Sequence, residues 1–171
     1  DRKRRKKARI PKPVVFQKKW ELALGLLRDA LAAGFEVAAV LADAGYGDVA
    51  AFRAALHDLQ LAYAVGIAST TSVFRGTPQL NPPTRPAKAD AQRQPRPTLV
   101  TGHTPIQVSA LAAAWPAKAW RRVSWRNGIN EPRAARFAAS RVTPAHDWQQ
   151  TVAPEVGLLC ARSRDGTYDD Q

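Results

Sequence analysis

The chain has 171 residues, 45% of them apolar, enough to bury a core and to build one ordinary domain or one and a half. Lysine and arginine number 26 against 14 aspartates and glutamates, and the net charge of +12 favours a polyanionic partner, nucleic acid first among them. One cysteine excludes an intrachain disulfide, and no apolar run has the length of a membrane span or a signal-peptide core, so a cytoplasmic protein with no membrane partner is expected.

Residues 1–19 read as a basic arm and lead-in. Arg2, Lys3, Arg4, Arg5, Lys6 and Lys7 form a like-charged block closed by Pro11 and Pro13. Such blocks repel themselves and are expected to be disordered or wrapped on a polyanion, which makes these six side chains candidate DNA contacts. A helix is predicted over 20–33. Leu22, Leu26, Ala30 and Ala33 recur at spacings of three and four, Leu24, Leu27 and Leu31 widen the stripe, and Gly34 stands where a helix stops. Glu36 to Ala42 then reads as a strand, apolar enough to be covered on both faces. Asp48 is placed to cap a helix whose face is Phe52, Ala55, Leu56 and Leu59, and "LAYAVGI" (61–67) reads as a second buried strand. Strand, helix, strand is a crossover that demands parallel strands, so 20–68 is expected to be an α/β core.

From Ser69 the texture changes. "STTSVF" is β-prone, and 76–97 is a proline-rich charged loop. A short helix is predicted over 105–114, with Pro105 at its first position. "AKAWRRVSWRNG" reads as a strand running into a turn at Asn127-Gly128, and "ARFAASRV" and "VGLLCAR" as further strands. Residues 69–171 are thus a β-leaning, loop-rich region. The chain starts at Asp1 and closes on "RDGTYDDQ" with no helix or strand, so a piece of a longer protein is expected.

Asp43 is the first candidate site residue. It ends the first predicted strand, where open α/β sheets carry their functional groups, and Gly45 and Gly47 turn the chain away from it. A carboxylate there is a good hard ligand for Mg²⁺, but metal-dependent phosphoryl chemistry needs several, and a solvated turn carboxylate or a helix cap has the same pattern. Tyr46 could stack on a base or pack in the turn. In "WRRVSWRNG", Arg121, Arg122 and Arg126 interleave with Trp120 and Trp125. On a strand, Trp120, Arg122 and Ser124 face one way and Arg121, Val123 and Trp125 the other. DNA contact and a small tryptophan core covered by arginines both fit. Ser69, Thr70 and Thr71 are a polar strand exit or a phosphate contact. His57, His103 and His146 show no metal-ligand spacing, and Cys160, in an apolar run, reads as a core residue.

The stretch "VLADAGYGDVAAFRAALHDLQLAYAVGIASTTSVF" resembles the segment around the second catalytic aspartate of bacterial insertion-sequence transposases of the DDE superfamily. The similarity extends to "IPKPVVFQKKWELAL" before it and to "LAAAWPAKAWRRVSWRNG", "RFAASRV" and "LLCARSRDG" after it. This resemblance implies a partial ribonuclease-H-like core over 20–68 and an inserted β-rich region over 69–171. It implies DNA cleavage and strand transfer by two Mg²⁺ ions, or Mn²⁺, held by three carboxylates. Asp43 matches one of the three as catalytic residue and metal ligand. The first would precede Asp1 and the third would follow Gln171, so the isolated chain is expected to be inactive. Transposon ends and target DNA are the implied partners, with self-association, in a bacterial cytoplasm and nucleoid. The chain departs from relatives at Asn127, where they carry an acid in W-R-E-G-T, and Glu131 is not a match for the catalytic glutamate. Two alternatives stay open: a non-catalytic basic DNA-binding module, and another α/β phosphoryl-transfer enzyme.

Overall fold

The computed structural model describes residues 2–11, 13–83, 95–127 and 132–162. The chain divides into two compact units, one ending at Ile67 and the other beginning at Ala68. No helix among the described residues is long and apolar enough to cross a membrane.

The first unit opens with a helix rather than a disordered arm. Helix α1 (Arg2–Lys7) carries basic residues throughout its last turn, where the negative end of the helix dipole offsets some of their repulsion. It stops at Arg9, which takes the left-handed conformation (φ 53°). Arg5 folds back and donates to the carbonyls of Pro11, at 3.3 Å, and Val14.

Helix α2 (Lys19–Ala32) starts where the backbone N–H of Lys18 donates to the Glu21 carboxylate at 2.7 Å. It ends in a Schellman motif: Gly34 (φ +84°) donates to the Leu31 carbonyl and Phe35 to the Ala30 carbonyl, at 3.0 and 3.1 Å. Space around Gly34 is open, so only the backbone conformation resists a side chain. Gly34→Ala is expected to cost about 1 kcal/mol, read as a lower denaturant midpoint at unchanged slope. The Leu24 and Leu27 side of the expected stripe packs, and the Leu22 and Leu26 side does not. Leu24 is buried with Trp20, Ala23 and Leu27 against it, while Leu22 and Leu26 are 50% and 72% exposed. Both stripes have helical spacing; the stripe bearing the large Trp20 ring buries more surface.

Strands β1 (Val40–Ala42) and β2 (Tyr63–Val65) pair in parallel, Val40 with Tyr63 and Ala42 with Val65. Between them lie a one-turn helix, α3 (Ala44–Gly47), and helix α4 (Ala50–Asp58). The strands are shorter than 36–42 and 61–67, and within the first unit the described residues cover one face of them. Val40, Ala42, Tyr63 and Val65 pack on Leu24, Phe52 and Leu56, whereas Leu41 is 79% exposed. Two strands flanked by helices on one side bury alternate residues, so an apolar run does not imply a doubly covered strand.

In the second unit, β3 (Ser72–Phe74), β6 (Ile106–Gln107), β7 (Arg121–Asn127), β8 (Pro132–Pro144) and β9 (Val156–Arg162) form an antiparallel sheet in which β8 pairs with β3, β7 and β9. A separate ladder joins β4 (Leu80–Asn81) to β5 (Thr98–Leu99) within the proline-rich stretch; 84–94 lie outside the described residues. Helix α5 (Val108–Ala113) begins three residues after Pro105, which precedes β6 instead. The carbonyls of Thr71 and Ser69 accept from the N–H groups of Val108 and Ser109, both at 2.9 Å. These polar residues thus tie the helix start to the sheet. Gly128 and Glu131 lie outside the described residues.

Cys160 is 9% exposed. Burial pushes its thiol pKa up, and the Arg162 charge offsets that only in part. The thiolate is the nucleophile, so alkylation by iodoacetamide at pH 8 is expected to run slower than for free cysteine and to catch up in denaturant. Mass spectrometry of timed aliquots reads this directly.

Candidate active site

Asp43 is the first residue beyond β1, and the chain turns into α3 directly after it. Its extended backbone (φ −77°, ψ 178°) occupies the N-cap position, and its carbonyl accepts from Tyr46 at 3.1 Å and Gly47 at 2.9 Å. Its side chain makes no capping bond and is exposed. The helix-cap alternative is therefore met by the backbone of Asp43 and not by its carboxylate.

The glycines around it act by close approach. Neither Gly45 nor Gly47 has a positive φ. A Cβ on Gly47 would lie 1.8 Å from the Gly66 carbonyl oxygen, and one on Gly66 would lie 2.9 Å from the Ala44 nitrogen. The turn after β1 therefore rests directly on the backbone leaving β2. The Gly66 N–H also donates to the Ala42 carbonyl at 2.9 Å, which extends the parallel ladder to the residue before Asp43. Gly66 was not singled out in the sequence; its signal was a glycine ending the second apolar strand.

Arg53 was also missed. Its guanidinium, half-buried on α4, donates to the Gly47 carbonyl and closes the C-terminal end of α3. Burial pulls its pKa down from the usual value, and Tyr63 and Asp48 partly restore it. Asp48 does not cap α4; Val49 holds that position, because the extra turn of α3 makes Asp48 the last cap of the preceding helix. Its charge supports Arg53 instead.

Tyr46 packs inward. Its ring lies 5.6 Å from that of Phe52, and Lys19 Nζ sits 4.5 Å from its centroid. The ring thus packs in the turn, against the core of the first unit. Arg121 and Arg122 are exposed on β7; the side chains of Arg2, Trp125, Arg126 and Asn127 lie outside the described residues. Trp120 is buried, with the Trp115 ring at 5.8 Å and the Arg162 guanidinium at 3.7 Å. His103 Nδ1 accepts from the Gln79 N–H at 3.4 Å, and His146 pairs with Asp147 at 2.8 Å. Among the described residues, no group of three or more His, Cys, Asp or Glu side chains converges to hold a metal.

A mixed α/β chain that presents a carboxylate at the end of a parallel strand, over a strongly basic background, is compatible with a nuclease. The chain belongs to the DDE superfamily endonucleases: the model of that family matches residues 1–132. No curated protein and no solved structure matches the chain. Membership implies nuclease chemistry in the intact members, DNA as substrate, and the divalent ions that such endonucleases typically use. Asp43 lies inside the matched span, while most of β8 and all of β9 lie beyond it.

Proposed function

We propose that the chain is part of a bacterial insertion-sequence transposase, and that Asp43 is one of the carboxylates with which the intact enzyme cleaves DNA and transfers the strand. In this reading 20–68 belong to a ribonuclease-H-like catalytic core and 69–171 to its insertion. The intact protein self-associates on transposon ends, in the cytoplasm and nucleoid. The observation that carries the reading is the exposed, uncapped Asp43 carboxylate at the end of β1, on a turn whose backbone is placed by close contacts with the chain leaving β2.

Mg²⁺ or Mn²⁺ needs several oxygen ligands, and the described residues do not assemble them. Asp43 alone does not build a two-ion site, so this chain by itself is expected to leave DNA uncut. Mg²⁺-dependent nicking by the purified 171-residue chain would overturn that. In the full-length protein, the test is Mg²⁺-dependent cleavage of transposon-end DNA by wild type and by Asp43→Asn. Cleavage retained by the variant removes Asp43 from the mechanism.

The net charge of +12 favours a second reading, a DNA-binding module without catalysis. DNA binding that ignores Mg²⁺, in a full-length protein that never cuts, selects it. Turnover of a small phosphate ester would select a different phosphoryl-transfer enzyme.

A further inference from the structure

We infer that Arg122 and Arg136, with Arg162 beside them in register, form one basic row whose two exposed arginines hold the phosphate backbone of DNA. The register of the sheet carries this. Arg122 on β7 stands directly opposite Arg136 on β8, and Arg136 directly opposite Arg162 on β9. Directly opposed residues of antiparallel strands project from the same face, so three arginine positions lie side by side across three neighbouring strands. Strands lie about 4.8 Å apart, so the row spans about 10 Å, and one DNA strand presents a phosphate about every 3.4 Å of helix axis.

The row borders the buried face of the sheet. Ala138 and Cys160, opposed to each other two residues along from Arg136 and Arg162, are both buried, and so is Trp120, two residues before Arg122. At one end, Arg162 is fixed: its guanidinium lies over the Trp120 ring and donates to the Ala112 carbonyl at 3.1 Å. Arg122 and Arg136 are exposed beside it. Like charges directly opposed destabilise a sheet, so this row works against the fold and gains when a polyanion lies along it. On the opposite face Arg133 is itself opposed to Arg126, beyond the register shift between Ser124 and Arg126. Elsewhere on that face Arg121 is opposed to Phe137, and Arg141 to Gly157, with Arg141 bound to Glu155 at 2.8 Å. Arg136 and Arg162 lie beyond residue 132, outside the span matched by the family model.

The inference rests on the DNA reading of the chain and not on Asp43. Its test is the affinity of the full chain for a short DNA duplex over a range of salt concentrations. Arg122→Gln and Arg136→Gln are each expected to reduce the slope of log K against log salt by about 1, and the double variant by about 2. Its melting temperature without DNA should hold or rise, because opposed like charges are relieved. An unchanged slope in the double variant overturns the row, as does an equal reduction from Arg121→Gln with Arg141→Gln. Should the double variant melt lower, Arg122→Lys with Arg136→Lys decides: a retained slope supports the row, and a lost slope overturns it. A wild-type chain that binds no DNA at any salt overturns the DNA reading together with the row. A wild type that binds DNA while the double variant matches it overturns the row alone.

Discussion

Asp43→Asn, introduced into the full-length protein, is expected to lower DNA cleavage by about a hundredfold or more, since loss of even an outer-sphere partner of a metal site costs about 10–100-fold. DNA affinity should change by less than about threefold, since a single carboxylate is a small part of the salt-dependent attraction of a chain with net charge +12. Asparagine keeps the shape and removes the charge. The Asp43 side chain makes no capping bond, and the bonds that form the turn come from its backbone carbonyl, which the substitution leaves alone. Stability should therefore stay within about 0.5 kcal/mol, as for other exposed side chains that hold nothing in place. Single-turnover cleavage, duplex binding and thermal melting, measured on one preparation, separate the three effects. A variant that loses cleavage and melts several degrees lower would make Asp43 structural.

Gly47→Ala is expected to destabilise the chain by about 3 kcal/mol, the upper end of the overpacking range. The new methyl would lie 1.8 Å from the Gly66 carbonyl oxygen and 3.0 Å from the Val65 Cβ. Both obstacles are fixed in or beside β2, so no side-chain rotation makes room and α3 must lift off the strand. Gly45→Ala provides the contrast. Both glycines lie in α3, and alanine gains about 1 kcal/mol over glycine in a helix interior. At Gly45 the nearest atom is the Asp43 Oδ1, 3.2 Å away, at the free end of a side chain that swings aside. Gly45→Ala should leave stability unchanged or raised. In the full-length protein it should still slow cleavage, because the carboxylate is pushed from its place. Equal melting temperatures for the two variants would show that α3 does not rest on β2 as described.

Much of the first unit was legible along the chain. Apolar runs broken by glycines at 34, 45 and 47 separate α2, β1 and α4, because hydrophobic periodicity and helix termination are local effects. Boundaries moved where a neighbour decided them. The one-turn helix after Asp43 exists because its backbone packs on β2, and it displaced Asp48 from the cap of α4 to the end of α3. The choice between two leucine stripes on α2 was equally nonlocal: Trp20, Leu24 and Leu27 win by what they meet. The α1 segment formed a helix against its charge, with Arg5 held by the carbonyls of Pro11 and Val14.

The sequence by itself determined the mixed α/β character, the basic charge and the position of Asp43 at a strand end, all of which follow from residue type and spacing over a few turns of chain. Tertiary structure alone decided which groups meet. It replaced conformational freedom with close approach as the reason for Gly47, brought Gly66 and Arg53 to the Asp43 turn, and turned Tyr46 into the core. It also aligned Arg122, Arg136 and Arg162, which are scattered in sequence, into one row through strand register. Register and packing are set by the simultaneous burial of distant surfaces, and a linear pattern carries no record of which residue will stand opposite another.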